Sequence, residues 1–590
     1  MRLHKLTIGS AKEPKGAIDN HRYNNLKNVT VDFDQGEWIT VVIGKNGTGK
    51  SNVLEAITHL FCELAMDANM PSRKPQLNFF YKLTYSCNEK VITITGDPDK
   101  TENEVYNVKY IELSKEEKAE TQLKLIEDID EAEIKASDIK YSAFRKKENE
   151  FLPQFIFGYY SGNSDRMRSA FEPYLKRHDD ALRNNKSDKE LELRKLFYAL
   201  PEHSQFVLLA FMETDKSKSD LVIKKFLETE IGIDPDNGFD SVLFVLKQPP
   251  WDRNPRLKLE AKKKGIEFKP DIFWGAEGKV RKFLNRLLDI SLAPIKTTRD
   301  VKSTLWAKKG NETEFVYLFV KDIDALSKLR NSQTGREFFN ELESTYVSEL
   351  IDDVRIRVKL QKNDGTVTFK ELSEGEQQLL TVLGLVRFTA EKESLFLLDE
   401  PDTHLNPKWN VKYINYLREF VNSANSEDSS SHIILTTHNP IAVAELNRKQ
   451  VRILHHKGES REIVSLPPEK DPKGMGYSGV ITSDLFGLGS SLDRSTTEDL
   501  LKLHKLSTKS GKLTEEEKNE LRILRERIEK LDFNFASDDR IEREFTRARF
   551  ELSKSSDKEF DSPILTKENR EKALGVLVQS LLESLNEDEG

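Results

Sequence analysis

An eight-residue string, Gly44-Lys45-Asn46-Gly47-Thr48-Gly49-Lys50-Ser51, sits between a short apolar run and a helical pattern, and nothing else in the chain restricts its fold so strongly. The run before it, Trp38 to Ile43, has the length and character of a buried strand. After it, Val53, Leu54, Ile57 and Leu60 recur at helical spacing. Glycines let a backbone approach an anion with no Cβ in the way, and a helix N-terminus adds the positive end of its dipole. A strand that passes through such a loop into a helix predicts a phosphate-binding α/β fold.

The string matches G-x-x-x-x-G-K-[ST], the Walker A loop. The loop backbone from Gly44 to Gly49, with Asn52 behind it, is expected to hold ATP. Lys50 is expected on the β- and γ-phosphates, and Ser51 on Mg²⁺. Far along the chain, Leu395 to Leu398 reads as a buried strand that ends in Asp399-Glu400. Alone, that pair is an ordinary solvated strand end. Beside a Walker A loop it reads as Walker B, with Asp399 on Mg²⁺ through water and Glu400 as the base for the attacking water. A further apolar run, Ile433 to Thr437, leads into His438-Asn439-Pro440.

Leu372-Ser373-Glu374-Gly375-Glu376-Gln377-Gln378 opens another helical pattern that extends to about Thr389. It resembles the LSGGQ signature of ABC ATPases in the form found in SMC, RecF and Rad50-like proteins. That resemblance implies that Ser373, Gly375 and Glu376 meet the γ-phosphate held by a second copy of the chain, which requires a head-to-tail dimer. It also implies that His438 is an H-loop histidine on the γ-phosphate. Asp399-Glu400-Pro401-Asp402-Thr403-His404-Leu405-Asn406-Pro407 looks like the stretch from Walker B to the D-loop, with Asn406 where transporter ATPases commonly carry Asp. No glutamine reads as a Q-loop; the loop Ser161 to Asp165 is a candidate in its place.

About 320 residues separate Gly49 from Ser373, much more than in a transporter subunit, yet they show no sustained heptads. The predicted class is therefore α/β: an ABC-type P-loop ATPase head with an antiparallel β subdomain, a helical insertion lobe and a C-terminal helical region. Residues 1–112 and 351–480 are read as the halves of the head, 113–350 as the insertion with a core strand near 154–160, and 481–590 as the helical end. Alternating segments at Phe79 to Tyr85 and Val91 to Thr95 supply the β subdomain, and 303–320 and 354–369 look strand-rich. Helical patterns fill much of 166–290. Thr514 and Glu517 form a capping-box pattern ahead of a helix to about Leu531, and a last helix is read over 567–585.

Two cysteines, Cys62 and Cys87, offer no disulfide framework, and no apolar run approaches the roughly 18 residues of a membrane span. With a start that lacks a signal region, a cytoplasmic location is expected. The net charge of −8 argues against a surface that coats nucleic acid throughout, although a local patch is compatible with it. Between Asp252 and Leu287, eleven basic residues face five acidic ones, flanked by Trp251 and Trp274, which makes this stretch the candidate contact for DNA.

The whole pattern is similar to the AAA_15/AAA_21-type ATPases of bacterial defence systems, the Septu (PtuA-like) and retron-associated kinds included. The resemblance implies an ATPase that controls a separate effector, with an HNH-type nuclease favoured. No acidic Toprim signature, HNH-like histidine cluster or zinc-ligand spacing stands out in the chain, so nuclease chemistry is expected from a partner. A RecF-like DNA-repair ATPase without an effector is the alternative.

Overall fold

The computed structural model describes residues 1–12, 19–33, 36–69, 77–100, 104–113, 136–162, 164–184, 194–212, 218–265, 267–302, 310–361, 366–390, 393–424, 431–457, 462–488, 490–507, 514–529, 531 and 575. They divide into two compact units, Met1–Gly487 and Leu488–Gly590.

A seven-stranded sheet forms the centre of the first unit. Its order is Leu196–Tyr198, Phe155–Tyr160, Ser394–Asp399, His432–Thr436, Ile39–Gly44, Val451–His456 and Ile463–Leu466. All neighbours are parallel except the last pair. A parallel sheet must be covered on both faces, and the alternation along its strands shows how. Val41, Ile43, Phe396, Leu398, Ile433 and Leu435 enter one core. Their neighbours Val42, Leu395, Leu397, Ile434 and Leu454 enter another.

The second core lies between this sheet, the helix Lys50–Asn69 and a six-stranded antiparallel sheet. That sheet runs Val29–Asp32, Arg2–Ile8, Tyr81–Cys87, Lys90–Gly96, Tyr106–Glu112 and Ser137–Ile139. The first core holds the helices His203–Phe211 and Glu374–Thr389, both almost wholly buried, together with most of the inserted segment.

The chain thus forms the expected α/β head with an antiparallel subdomain, and the inserted lobe carries several helices. The lobe also carries strands. Ile295–Val301, Asn311–Val320, Phe239–Lys247, Ile351–Lys359 and Thr366–Thr368 build a five-stranded antiparallel sheet. The strand-rich reading of 303–320 and 354–369 anticipated part of it. Phe239–Lys247 corrects the helical reading of 166–290: it pairs on both edges and packs apolar residues on both faces, so its sequence shows no alternation.

In the second unit the helices Arg494–Ser507 and Glu515–Glu529 are joined by the Arg527 to Asp499 ion pair at 2.9 Å. The Thr514 box is present: Glu517 N–H donates to Thr514 Oγ1 at 3.3 Å, and Thr514 N–H donates to Glu517 Oε2 at 3.0 Å. The helix read over 567–585, apart from Gly575, and the segment 114–135 lie outside the described residues. Among the described residues no helix is long and apolar enough to cross a membrane.

Candidate functional site

Ligands of open α/β sheets bind beyond the carboxyl ends of the parallel strands, and the chemically distinctive residues gather there. Gly44 ends its strand, the loop follows, and Lys50 begins the helix. Gly47 and Gly49 have φ of 85° and 88°, a region that glycine enters without a Cβ penalty. At Gly49 a Cβ would also lie 2.7 Å from Leu26 Cδ2.

The loop is closed around its lysine. Lys50 Nζ donates to the carbonyls of Gly44 at 2.8 Å and Lys45 at 3.4 Å, and Thr48 Oγ1 donates to the Lys45 carbonyl at 2.8 Å. Among the described residues, the N–H groups of Gly47, Gly49, Lys50 and Ser51 donate to no backbone carbonyl. These are the orphan donors of a helix start, the set that an anion satisfies. Lys50 is 6% exposed. Burial presses it below the usual lysine range, against the pull of the Glu400 and Asp399 carboxylates.

Two strands away, Asp399 Oδ1 accepts from Ser51 Oγ at 3.2 Å and, in a short bond, from Thr436 Oγ1. Burial raises the Asp399 pKa, countered by those two hydroxyls. A hydroxyl and a carboxylate that share one spot are hard oxygen donors of the kind Mg²⁺ takes while it keeps most of its water. The donor set therefore fits the ion.

Glu400 follows in the left-handed region, φ 51°, which is costly for a side chain with a Cβ and is found at strained functional positions. Thr436 holds it there: the Glu400 N–H donates to both the carbonyl and Oγ1 of Thr436 at 3.1 Å. Glu400 Oε1 lies 2.9 Å from His438 Nε2. Burial and the nearby Lys50 hold the imidazole below its usual range despite the carboxylate. The contact is thus a hydrogen bond from a neutral ring that carries its proton on Nε2.

Lys50, Ser51, Asp399, Glu400 and His438 are in this way linked into one site. Sequence reading missed Thr436, which holds both acidic residues; its only signal is a threonine pair at a strand end. It also missed the Thr437 Oγ1 bond to Asp402 Oδ2 at 2.7 Å, which ties the next loop to the same strand. The loop after Tyr160 does reach this end of the sheet. Ser161 N–H donates to the Asp399 carbonyl at 3.3 Å, and Ser161 Oγ lies 3.0 Å from Thr403 Oγ1. Asn163 lies outside the described residues.

The Ser373 turn sits elsewhere, on the flank of the loop after Glu400. A Cβ at Gly375 would be 2.7 Å from the His404 carbonyl oxygen, and the His404 N–H donates to Gln378 Oε1 at 3.2 Å. Ser373 caps the helix Glu374–Thr389: its Oγ accepts from the Glu376 N–H at 3.3 Å, while Glu376 Oε2 accepts from Ser373 N–H and Oγ at 2.7 and 2.8 Å. The turn opens onto a cleft of about 640 Å³ lined by Glu230, Ser373, Glu374, Glu376, Lys408 and Trp409 among others. Among the described residues no backbone hydrogen bond joins this turn to the glycine loop of the same chain.

The family model for the AAA ATPase domain (AAA_15) matches residues 17–443, which takes in the glycine loop, the Ser373 turn, the acidic strand and His438. The chain belongs to this family. Two curated relatives match part of the chain. Septu protein PtuA of Bacillus mycoides (strain KBAB4) is 24% identical over 201 residues, 32% of this chain and 27% of that protein. The retron Vc95 probable ATPase of Vibrio cholerae serotype O1 biovar El Tor is 24% identical over 208 residues, 31% of this chain and 38% of that one. The matches thus span well under half of either relative. A crystal structure of an SMC head bound to the C-winged helix domain of ScpA aligns over 79% of this chain and 98% of that chain, at 12% identity and a TM-score of 0.30. A score that low has no bearing on the fold, which rests on the strand order above.

The candidate DNA contact changes character in three dimensions. Trp274 is fully buried and donates from Nε1 to Glu314 Oε2 at 2.9 Å, and Trp251 donates from Nε1 to the Ser348 carbonyl at 2.9 Å. Trp274 therefore offers no stacking face, while Trp251 is half-buried with the Arg253 guanidinium 6.0 Å from its ring centre. Arg253, Arg256, Arg281 and Arg286 pair with Glu277, Glu260, Asp271 and Glu341. The exposed positive charge that remains is concentrated on the helix Asn254–Lys264, at Lys258 and Lys262 to Lys264.

Proposed function

We propose that this chain hydrolyses ATP in two sites shared between two copies arranged head to tail, and that the cycle controls a separate effector nuclease in defence against phage. The observation that carries the catalytic part is the convergence of Lys50, Ser51, Asp399, Glu400 and His438 at one end of the central sheet.

The backbone of Gly44, Lys45, Asn46, Gly47, Thr48 and Gly49 wraps the β-phosphate, and Lys50 exchanges the Gly44 carbonyl for β- and γ-phosphate oxygens. Ser51 and Asp399 would hold Mg²⁺, which would supply charge neutralisation at the β- and γ-phosphates. Asn52 supports the loop from behind. Glu400 accepts the proton of the attacking water as its oxygen bonds to the γ-phosphorus; the β–γ bridging bond breaks, and ADP leaves with the electron pair. His438, a neutral N–H donor beside Glu400, orients that carboxylate and the γ-phosphate. Ser373, Gly375 and Glu376 of the second copy complete the site, because the turn that carries them faces an open cleft in its own chain. A phosphate that docks there must displace the Glu376 carboxylate from Ser373.

Similarity to Septu protein PtuA, to the retron Vc95 probable ATPase and to the family supports the role in defence, with an HNH-type nuclease as the favoured effector. The lysine-bearing helix Asn254–Lys264 supports contact with DNA or another nucleic acid. The test is co-purification with a nuclease encoded beside the gene. Association should persist with Glu400→Gln plus ATP and weaken with Lys50→Ala; equal capture by both variants would sink the control model.

A further inference from the structure

The hairpin Arg22–Tyr23 and Leu26–Lys27 stands against the back of the glycine loop, and its tip residue Asn24 takes a left-handed φ of 52° that a two-residue turn needs. From that tip a file of polar groups leaves the loop, with one side branch where Asn24 Nδ2 also donates to Asn52 Oδ1 at 3.5 Å. Asn25 Nδ2 donates to the Gly47 carbonyl at 2.7 Å. Asn52 Nδ2 donates to Asn25 Oδ1 at 2.6 Å. Arg166 Nη1 donates to Asn52 Oδ1 at 3.4 Å and lies 3.6 Å from Glu55 Oε2. Glu55 in turn accepts from the Tyr23 hydroxyl at 2.8 Å, which brings the file back to the hairpin.

Only one polarity satisfies this file. The Gly47 carbonyl can only accept, so Asn25 must turn its NH₂ toward it and its oxygen toward Asn52. Asn52 must then donate, which leaves its own oxygen for a guanidinium that can only donate. Nothing lies within 4 Å of the Cβ position of Gly47, so packing there does not fix its left-handed peptide. At Gly49 the hairpin is so close that a Cβ would sit 2.9 Å from Asn25 Oδ1. Arg166 is the first residue of the helix Arg166–Asn184, which follows the core strand Phe155–Tyr160 within the inserted segment, and its side chain is 57% exposed.

We propose that Asn25 is a positioning residue for the phosphate loop, and that Asn52 and Arg166 couple the loop to the inserted segment. The inference rests on the reading of the loop as an ATP site and adds residues that hold the loop without touching the nucleotide. Asn25 keeps the Gly47 carbonyl turned outward, which leaves the loop N–H groups for phosphate. A triphosphate that draws those groups inward changes the strain on the file, and Arg166 feels the change.

Titration of the full chain with a fluorescent, non-hydrolysable ATP analogue tests this. Asn25→Asp removes the donor and sets a carboxylate against a carbonyl, so binding should weaken about tenfold, with the nucleotide-free melting temperature unchanged. Arg166→Ala should weaken binding about threefold, and Arg166→Lys should restore most of it. The Arg166→Ala loss should vanish in an Asn25→Ala background, as coupled positions require. Wild-type affinity in Asn25→Asp, or losses that multiply in the double variant, would overturn the relay while the ATP site stands. A wild type that binds no more analogue than Lys50→Ala overturns both. If the Asn25 variants melt early, the cycle between Asn52→Asp and Arg166→Ala reads the same coupling, and independent losses there overturn the relay.

Discussion

Glu400 is held by its backbone in a conformation that costs about 1–3 kcal/mol, and that cost aims its carboxylate at His438 and the end of the glycine loop. If it is the base, Glu400→Gln should lower turnover by on the order of 10²–10⁴ with ATP affinity retained, since the amide keeps the shape and loses the proton acceptor. Single-turnover rates beside equilibrium binding check this, and undiminished turnover would refute the role. His438 is neutral at pH 7 because burial and Lys50 oppose its charge. The acid limb of the rate profile should therefore lie below the ordinary histidine value of about 6.5, and His438→Gln should move or remove it. Asp402 offers a measurement on stability. Burial lifts its pKa to about 6, well above the roughly 3.9 of an unfolded aspartate. Folding thus favours its protonated form, and the stability it withholds at neutral pH returns as pH falls through 6. Between pH 7.5 and 5, the melting temperature of the wild type should rise relative to Asp402→Asn; a constant difference would contradict that assignment.

At the scale of elements, the helix Glu374–Thr389 is seated through Gly375, where the His404 carbonyl leaves no room for a methyl group. Gly375→Ala should cost about 1–3 kcal/mol in denaturant unfolding, the usual range for an overpacked contact. The parts of the site that were legible in the sequence are those whose chemistry is compressed into a few neighbouring residues. The glycine loop with Lys50 and Ser51, the apolar strand into Asp399-Glu400, and Thr437-His438 each carry their geometry locally. Thr436 and Asn25 act across the fold, on Asp399 and Gly47, and a lone threonine or asparagine carries no sign of such a partner. The strand Phe239–Lys247 escaped for a related reason: burial on both faces erases the alternation that marks a strand. Trp274 looked like a surface aromatic because lysines surround it in sequence, whereas the fold turns it fully inward.

For the molecule as a whole, the remaining positive face gives a surface prediction. Reversing Lys262, Lys263 and Lys264 to Glu should weaken DNA binding and flatten its dependence on salt, because each phosphate contact releases counterions. An unchanged salt slope would remove that helix from any nucleic-acid contact. The larger claim concerns two chains. In a two-fold pair each surface meets its counterpart reciprocally, so the glycine loop of one copy and the Ser373 turn of the other form two equivalent sites. Mixing two inactive variants tests this directly. Lys50→Ala spoils the loop and leaves the turn intact, and Ser373→Arg does the reverse. If the sites are shared, random pairing of equal amounts gives half mixed dimers with one complete site each, so ATP hydrolysis should recover to about a quarter of the wild-type rate per chain. A mixture that stays as inactive as its parents would contradict the account.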